Sequence, residues 1–263
     1  MVVFAGQGDA RRSMDLLWSP RSRPPGPGPK PALSVEVIVA TAIAVADAEG
    51  MAALSMRAVG ERLGRTAMAL YTYVPGKSEL VDLMYDRALA ELPADYDLSA
   101  GWRAAITAWA EDSWAFYLRH PWFLQVSQAR PVLGPNEYGV LETLLRVLAS
   151  TGLGAADVRR AVATLAHVVR GAAQTVAESR QAARSTGLSE EEWWHGRSDA
   201  LRDLVPDFVE RFPTVAWLDS EGAPSVPPDD GVPYLEHLAR QTFEGGLGLV
   251  LDGLEKAVAQ IVP

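Results

Sequence analysis

Between Ser55 and Pro75 the chain sets two helix starts and two helix stops so close together that only two very short helices fit. Ser55 is an N-cap residue ahead of Met56, Val59 and Leu63, an apolar stripe spaced three and then four residues apart, and Gly64 ends that segment. After Arg65, Thr66 offers a second hydroxyl cap to the stretch Thr-Ala-Met-Ala-Leu-Tyr-Thr-Tyr (66–73). That stretch runs into Pro75-Gly76, where no helix continues. A longer helix precedes the pair. Ser34 caps a run in which Ile38, Ala42 and Val45 recur at helical spacing until Gly50, which predicts a helix over 35–49. Another begins near Lys77 and carries Leu80, Leu83, Met84 and Ala88 up to Leu92-Pro93.

Two short helices joined by a tight glycine turn and backed by a longer helix have the proportions of a helix-turn-helix, whose second helix enters a DNA major groove. Close packing between the two explains why position 60, inside the first of them, is glycine although that costs roughly 1 kcal/mol against alanine. Small Ala67 and Ala69 let the backbone of the second approach base edges. The net charge of −9 opposes a DNA role only until it is placed along the chain. Residues 1–92 hold ten basic and ten acidic groups, so the whole acidic excess lies after residue 92. DNA contact therefore belongs to the N-terminal third. Ahead of it, prolines and glycines from Ser19 to Pro31 deny the chain a packed element, and residues 1–33 read as a flexible arm. With Arg11, Arg12, Arg21, Arg23 and Lys30 it is basic. Two roles stay open for it: lying along phosphates or in a minor groove, or being an inert or mis-started extension.

After residue 92 the pattern stays helical, with breaks at Pro121, Gly134-Pro135, Thr151-Gly152, Thr186-Gly187 and across an expected loop from Pro213 to Pro233. Nothing there alternates like a strand. The fold class is all-α: a DNA-binding domain over 34–92 and a larger helical domain over 93–263. Val158, Val162, Leu165, Val169, Ala172 and Val176 form one apolar stripe, and Leu247, Val250, Leu254, Val258 and Ile261 another. The chain has no cysteine, which excludes disulfides, thiolate metal sites and cysteine nucleophiles. His120, His167, His195 and His237 lack metal-ligand spacing, and no nucleophile elbow or phosphate-cradling glycine loop is present. Neither a metal nor a cofactor is expected, and no catalytic role. No apolar run spans a membrane and no leader pattern opens the chain, so the cytoplasm is the expected location.

The sequence resembles the TetR family of transcriptional regulators. The resemblance rests on Ala-Glu-Gly (48–50), Leu-Ser-Met-Arg-Ala-Val-Gly-Glu-Arg-Leu-Gly (54–64) and Ala-Leu-Tyr-Thr-Tyr-Val-Pro-Gly-Lys-Ser-Glu-Leu (69–80). It implies that Thr66, Ala67, Met68, Ala69, Tyr71 and Tyr73 face the groove, while Arg57 and Lys77 meet the backbone or flanking bases. Position 69 departs from the hydroxyl that many relatives carry. An alanine there leaves an apolar contact, for instance to a thymine methyl.

Specific operator affinity generally recruits two such heads on a palindrome, so a homodimer is expected. The helices near 155–185 and 233–262 are its expected surfaces, the alternative being that both stripes are core of one chain. Aromatic residues are dense after residue 100. A pocket for an apolar or aromatic small-molecule effector is implied, with Trp114, Tyr117, Trp122, Phe123, Tyr138, His167, Gln174 and Trp194 as candidate lining and core packing as the competing role for each. The functional expectation is a repressor that leaves double-stranded operator DNA when such a molecule binds. An all-helical enzyme or a ligand-binding protein without operator binding are the alternatives.

Overall fold

The structure is a computed structural model that describes residues 3–19, 33–221 and 231–261. It divides into two compact units, Met1–Arg170 with Val250–Pro263, and Gly171–Leu249. Helices dominate both.

The first unit starts earlier than expected. Val3–Phe4 form a short strand, β1, and Ala10–Trp18 form helix α1, so the first half of the expected arm is folded. Asp9 caps α1 by accepting from the Arg12 N–H at 2.9 Å. Leu17 is buried, α1 packs on α5 (Lys77–Leu89), and Trp18 Nε1 donates to Leu133 O at 2.9 Å. β1 pairs in parallel with β2 (Val126–Ser127), a two-residue partner that no alternation announced. The arm reading fails here because these anchors are long-range and leave no local period. The proline-rich part of the arm, with Arg21, Arg23 and Lys30, lies outside the described residues.

Helices α2 (Val35–Glu49), α3 (Met56–Arg62) and α4 (Ala67–Tyr71) follow at the expected places. Ile38, Val39, Ala42, Leu54, Val59, Leu70, Val74, Leu80 and Met84 are almost wholly buried in one core, to which Phe116, Trp122 and Phe123 also belong. The last three come from α6 (Trp102–Arg119) and the 3-10 turn Pro121–Gln125. The expected break at Pro121 is thus a tightened helical turn. On α5, Asp82 and Asp86 are buried as deeply as the leucines. Asp82 accepts from the Gly6 N–H at 2.8 Å, and burial raises its carboxyl above the ordinary range against that bond. Asp86 accepts from the backbone N–H groups of Asn136 and Glu137 and from Asn136 Nδ2, which closes the open N-terminus of α7 (Pro135–Ala149).

In α8 (Ala155–Thr186), Val158, Leu165, Val169, Ala172 and Val176 are buried within the single chain. This part of the expected dimer surface is therefore intrachain core. Within the second unit lie α9 (Glu190–Leu204), α10 (Phe208–Arg211), α11 (Pro213–Glu221) and the first four turns of α12 (Tyr234–Ala259). A helix thus occupies the start of the expected loop at 213–233. α9 opens with a reciprocal capping box between Ser189 and Glu192, and Arg180 forks onto Glu236 at 2.8 and 2.7 Å.

Candidate nucleic-acid interface

The short α3–α4 pair is built on local chemistry. Ser55 Oγ accepts from the Ala58 N–H at 3.1 Å and opens α3. Gly64, at φ +63°, reverses the chain, and the Arg65 N–H donates to Gly60 O at 2.8 Å across the turn. A Cβ at Gly60 would lie 2.7 Å from Arg65 O and 3.3 Å from the Ala67 nitrogen, so only glycine lets α4 sit this close. Thr66 occupies the N-cap position of α4, but its hydroxyl makes no capping bond, in contrast to the expected cap. Leu70 and Val74, both wholly buried, pin the helix to the core instead.

The face left outside is uncharged. Thr66, Met68, Tyr71, Thr72 and Tyr73 are exposed, Met68 at 74%. Ala67 and Ala69 are half-buried against the core, so their backbone is close to the surface while their methyl groups are only partly presented. Lys77 is exposed at the start of α5. Arg57 is exposed too, but its Nε donates to Glu61 at 2.8 Å. Arg62 is similarly held by Glu49 at 2.7 Å. Arg65 and Thr72 are exposed beside the same face and were not singled out from the sequence. A cation immediately before an N-cap is the signal that marks Arg65.

Behind the reading helix, α2 and α5 are joined to α6 through one buried histidine. His120 Nδ1 lies 2.8 Å from Asp47 on α2, and Nε2 lies 3.1 Å from Glu91 just beyond α5. Burial acts to lower the His120 pKa, but the two carboxylates outweigh it and hold the pKa above its ordinary value. Glu91 shows the converse. Desolvation raises it, while His120 and Arg119 together bring it below the ordinary carboxylate range.

The candidate ligand-binding residues belong to both units, and within the first unit Tyr117, Trp122 and Phe123 are grouped while Tyr138 and His167 are exposed. Tyr117 and Phe123 have ring centroids 6.0 Å apart, Trp122 lies 5.7 Å from Phe123, and Phe123 stacks on Tyr85 of α5 at 4.1 Å. Arg170 covers the Tyr117 ring and donates to Leu124 O and Val126 O. Burial raises the Tyr117 hydroxyl pKa, the Arg170 charge pulling the other way. Trp114 is buried on α6. Tyr138 is exposed against Trp18, and His167 is exposed with Nδ1 on the carbonyl of Ala163 in its own helix. In the second unit, Gln174 is exposed and bonded to Glu178, and Trp194 is exposed beside Trp193. Among the described residues no group of histidines and carboxylates could hold a metal ion, and no helix is long and apolar enough to cross a membrane.

An exposed uncharged reading helix, a glycine turn and a supporting core define a helix-turn-helix DNA-binding regulator. Residues 38–84 match the family model of bacterial regulatory proteins, tetR family, and residues 95–258 match that of the tetracyclin repressor-like C-terminal domain. The chain is 40% identical over 258 residues to the HTH-type transcriptional repressor DrrR1 of Streptomyces coeruleorubidus, covering 97% of this chain and 89% of that protein. Its fold matches ActR of Streptomyces coelicolor without ligand at TM-score 0.67, with 24% identity over 89% of this chain and 100% of that one. ActR in complex with (S)-DNPA matches at TM-score 0.65, with 25% identity over 87% of this chain and all of that one. The chain belongs to the TetR family of bacterial transcriptional regulators.

Proposed function

We propose that two copies of this chain repress transcription by holding their α4 helices in successive major grooves of a palindromic operator, and that a small apolar or aromatic molecule releases them. The supporting observation is the exposed edge of α4, Met68 with Tyr71 and Tyr73, fixed by the wholly buried Leu70. Ala67, Ala69 and Met68 read base edges through apolar contact. Thr66, Tyr71, Tyr73 and Lys77 donate to phosphates, and Arg57 joins them when it leaves Glu61. The reading domain spans 34–92 and the regulatory and dimerising domain 93–263.

Dimerisation uses the face of α12 that one chain leaves open. Leu249 is 77% exposed, and a Cβ at Gly245, Gly248 or Gly253 would meet nothing within 4 Å, which leaves room for a second helix. The effector is received around Trp114, Tyr117 and Phe123, beside Tyr85 on α5. Through α5 its arrival reaches the reading helix. ActR, solved with (S)-DNPA, is a relative of similar fold that takes a small molecule. A regulator of this kind works in the cytoplasm, where its operator is. Selection of bound fragments from genomic DNA, with and without candidate aromatic effectors, tests the reading. The expected outcome is one palindromic motif, lost on effector addition. Absence of any sequence preference at moderate salt overturns it.

A further inference from the structure

We propose that Arg12 on α1 is a DNA-backbone contact flanking each half-site, so that the N-terminal helix is part of the operator-binding surface. The inference rests on the operator-binding reading above and extends it to an element outside the helix-turn-helix. An open groove of about 670 Å³ runs between α1 and the end of α4, and Arg12 shares its lining with Tyr71 and Thr72 of the reading face.

Three observations carry the assignment. First, the reading helix and its cap, Thr66 to Tyr73, hold no charged residue, so phosphates must be neutralised from its flanks. Second, the nearby arginines are not equally available. Arg57 and Arg62 are engaged by Glu61 and Glu49, whereas Arg12 has no ion pair among the described residues. Third, Arg12 is held in place before any DNA arrives. Asp9 caps its helix, Leu17 is buried, β1 pairs with β2, and the Gly6 N–H is bound to Asp82. A guanidinium on a fixed helix loses less freedom on binding than one on a free arm. Asp15 lines the same groove and opposes a phosphate there, so the groove takes one backbone segment against Arg12 rather than a broad anionic surface.

The test uses the full chain, a duplex recovered by selection with the unmodified protein, and an unrelated duplex of equal length. Arg12→Ala is expected to weaken binding to both about eightfold per half-site at 0.1 M salt. It should also lower the log–log salt slope by about 0.9 per protomer. Arg12→Lys restores most of the loss, and Asp15→Asn tightens binding. Arg11→Ala removes the same charge one residue earlier, from a position that does not line the groove, and reads the diffuse electrostatic effect. Equal losses for the two alanine variants overturn the contact, as does an unchanged salt slope for Arg12→Ala where Lys77→Ala shows its own loss. In that case operator binding stands and only the role of α1 falls. A shift of Arg12→Ala to a smaller sedimenting species reassigns the groove to contact between copies and also overturns the proposal. Binding of neither duplex by the unmodified protein removes the operator reading itself.

Discussion

The DNA-reading head and the stretch α9–α11 both carry large apolar side chains and use them in opposite ways. In the head, α2, α3, α4 and α5 each contribute wholly buried residues, and Leu70 with Val74 just beyond it pins a five-residue helix. In α9 and α10 no residue is buried, and Trp193, Trp194, Leu204, Val209 and Phe212 are exposed. Yet α9 has the better local start, a complete capping box, whereas α4 has no side-chain cap at all. A cap helps a helix to start, but burial decides whether a short one holds its place. A reading helix needs the second property, because a misplacement of its axis carries every base contact with it.

The largest test of this contrast is removal of one tryptophan from each region. Trp122→Ala, in the head's core, is expected to lose about 3–5 kcal/mol in urea unfolding, while Trp194→Ala stays within about 0.5 kcal/mol. Equal losses would break the distinction. Glycines sharpen it. Gly60→Ala forces a methyl to within 2.7 Å of Arg65 O and should destabilise the protein by about 1–3 kcal/mol. Gly196→Ala, in open space on α9, should instead stabilise it by up to about 1 kcal/mol.

A smaller effect is expected on function alone. Tyr71→Ala and Lys77→Ala each lower DNA affinity evenly across sequences without moving the thermal midpoint, and only Lys77→Ala, which removes a charge, reduces the salt slope by about 1. Changes at Ala67, Met68 or Ala69 alter the preferred sequence instead, read by titration on variant sites. The smallest effect is that of pH on the His120 junction. Its folded pKa lies above the ordinary 6.5, so the stabilisation is complete below that pH and fades as pH rises through the raised value. Glu91 is shifted down, so its share is present above the ordinary 4.5 and is lost on acidification. The junction is therefore tightest between about 4.5 and 6.5. His120→Gln should flatten the upper limb of the stability–pH curve, by about 1 kcal/mol at most.

The helices over 35–49, 56–62 and 67–71 were legible because their signals are local: Ser34 and Ser55 as caps, Gly50 and Gly64 as stops, and an apolar residue on every inward turn. Even Gly60 declared its close contact, since a glycine inside a helix has few other reasons to be there. Helix α1 was not legible. Its anchors are Asp82, β2 and Leu133, all distant in sequence, and its proline-rich neighbour suggested a free arm. The aromatic residues were equally opaque. Trp122 and Trp194 have the same composition-level signal, and only packing sends one to the core and the other to the surface.

The sequence by itself determined the helices over 35–49, 56–62 and 67–71 that build the reading head, and which family the chain resembles. Each depends on contacts within a turn or two of chain. Only the tertiary structure decided that Asp82 and Asp86 are buried as acceptors, that the valine stripe of α8 is spent inside one chain, and that Arg12 and Tyr71 line one groove. Those outcomes depend on partners tens of residues away, whose pairing no local period encodes.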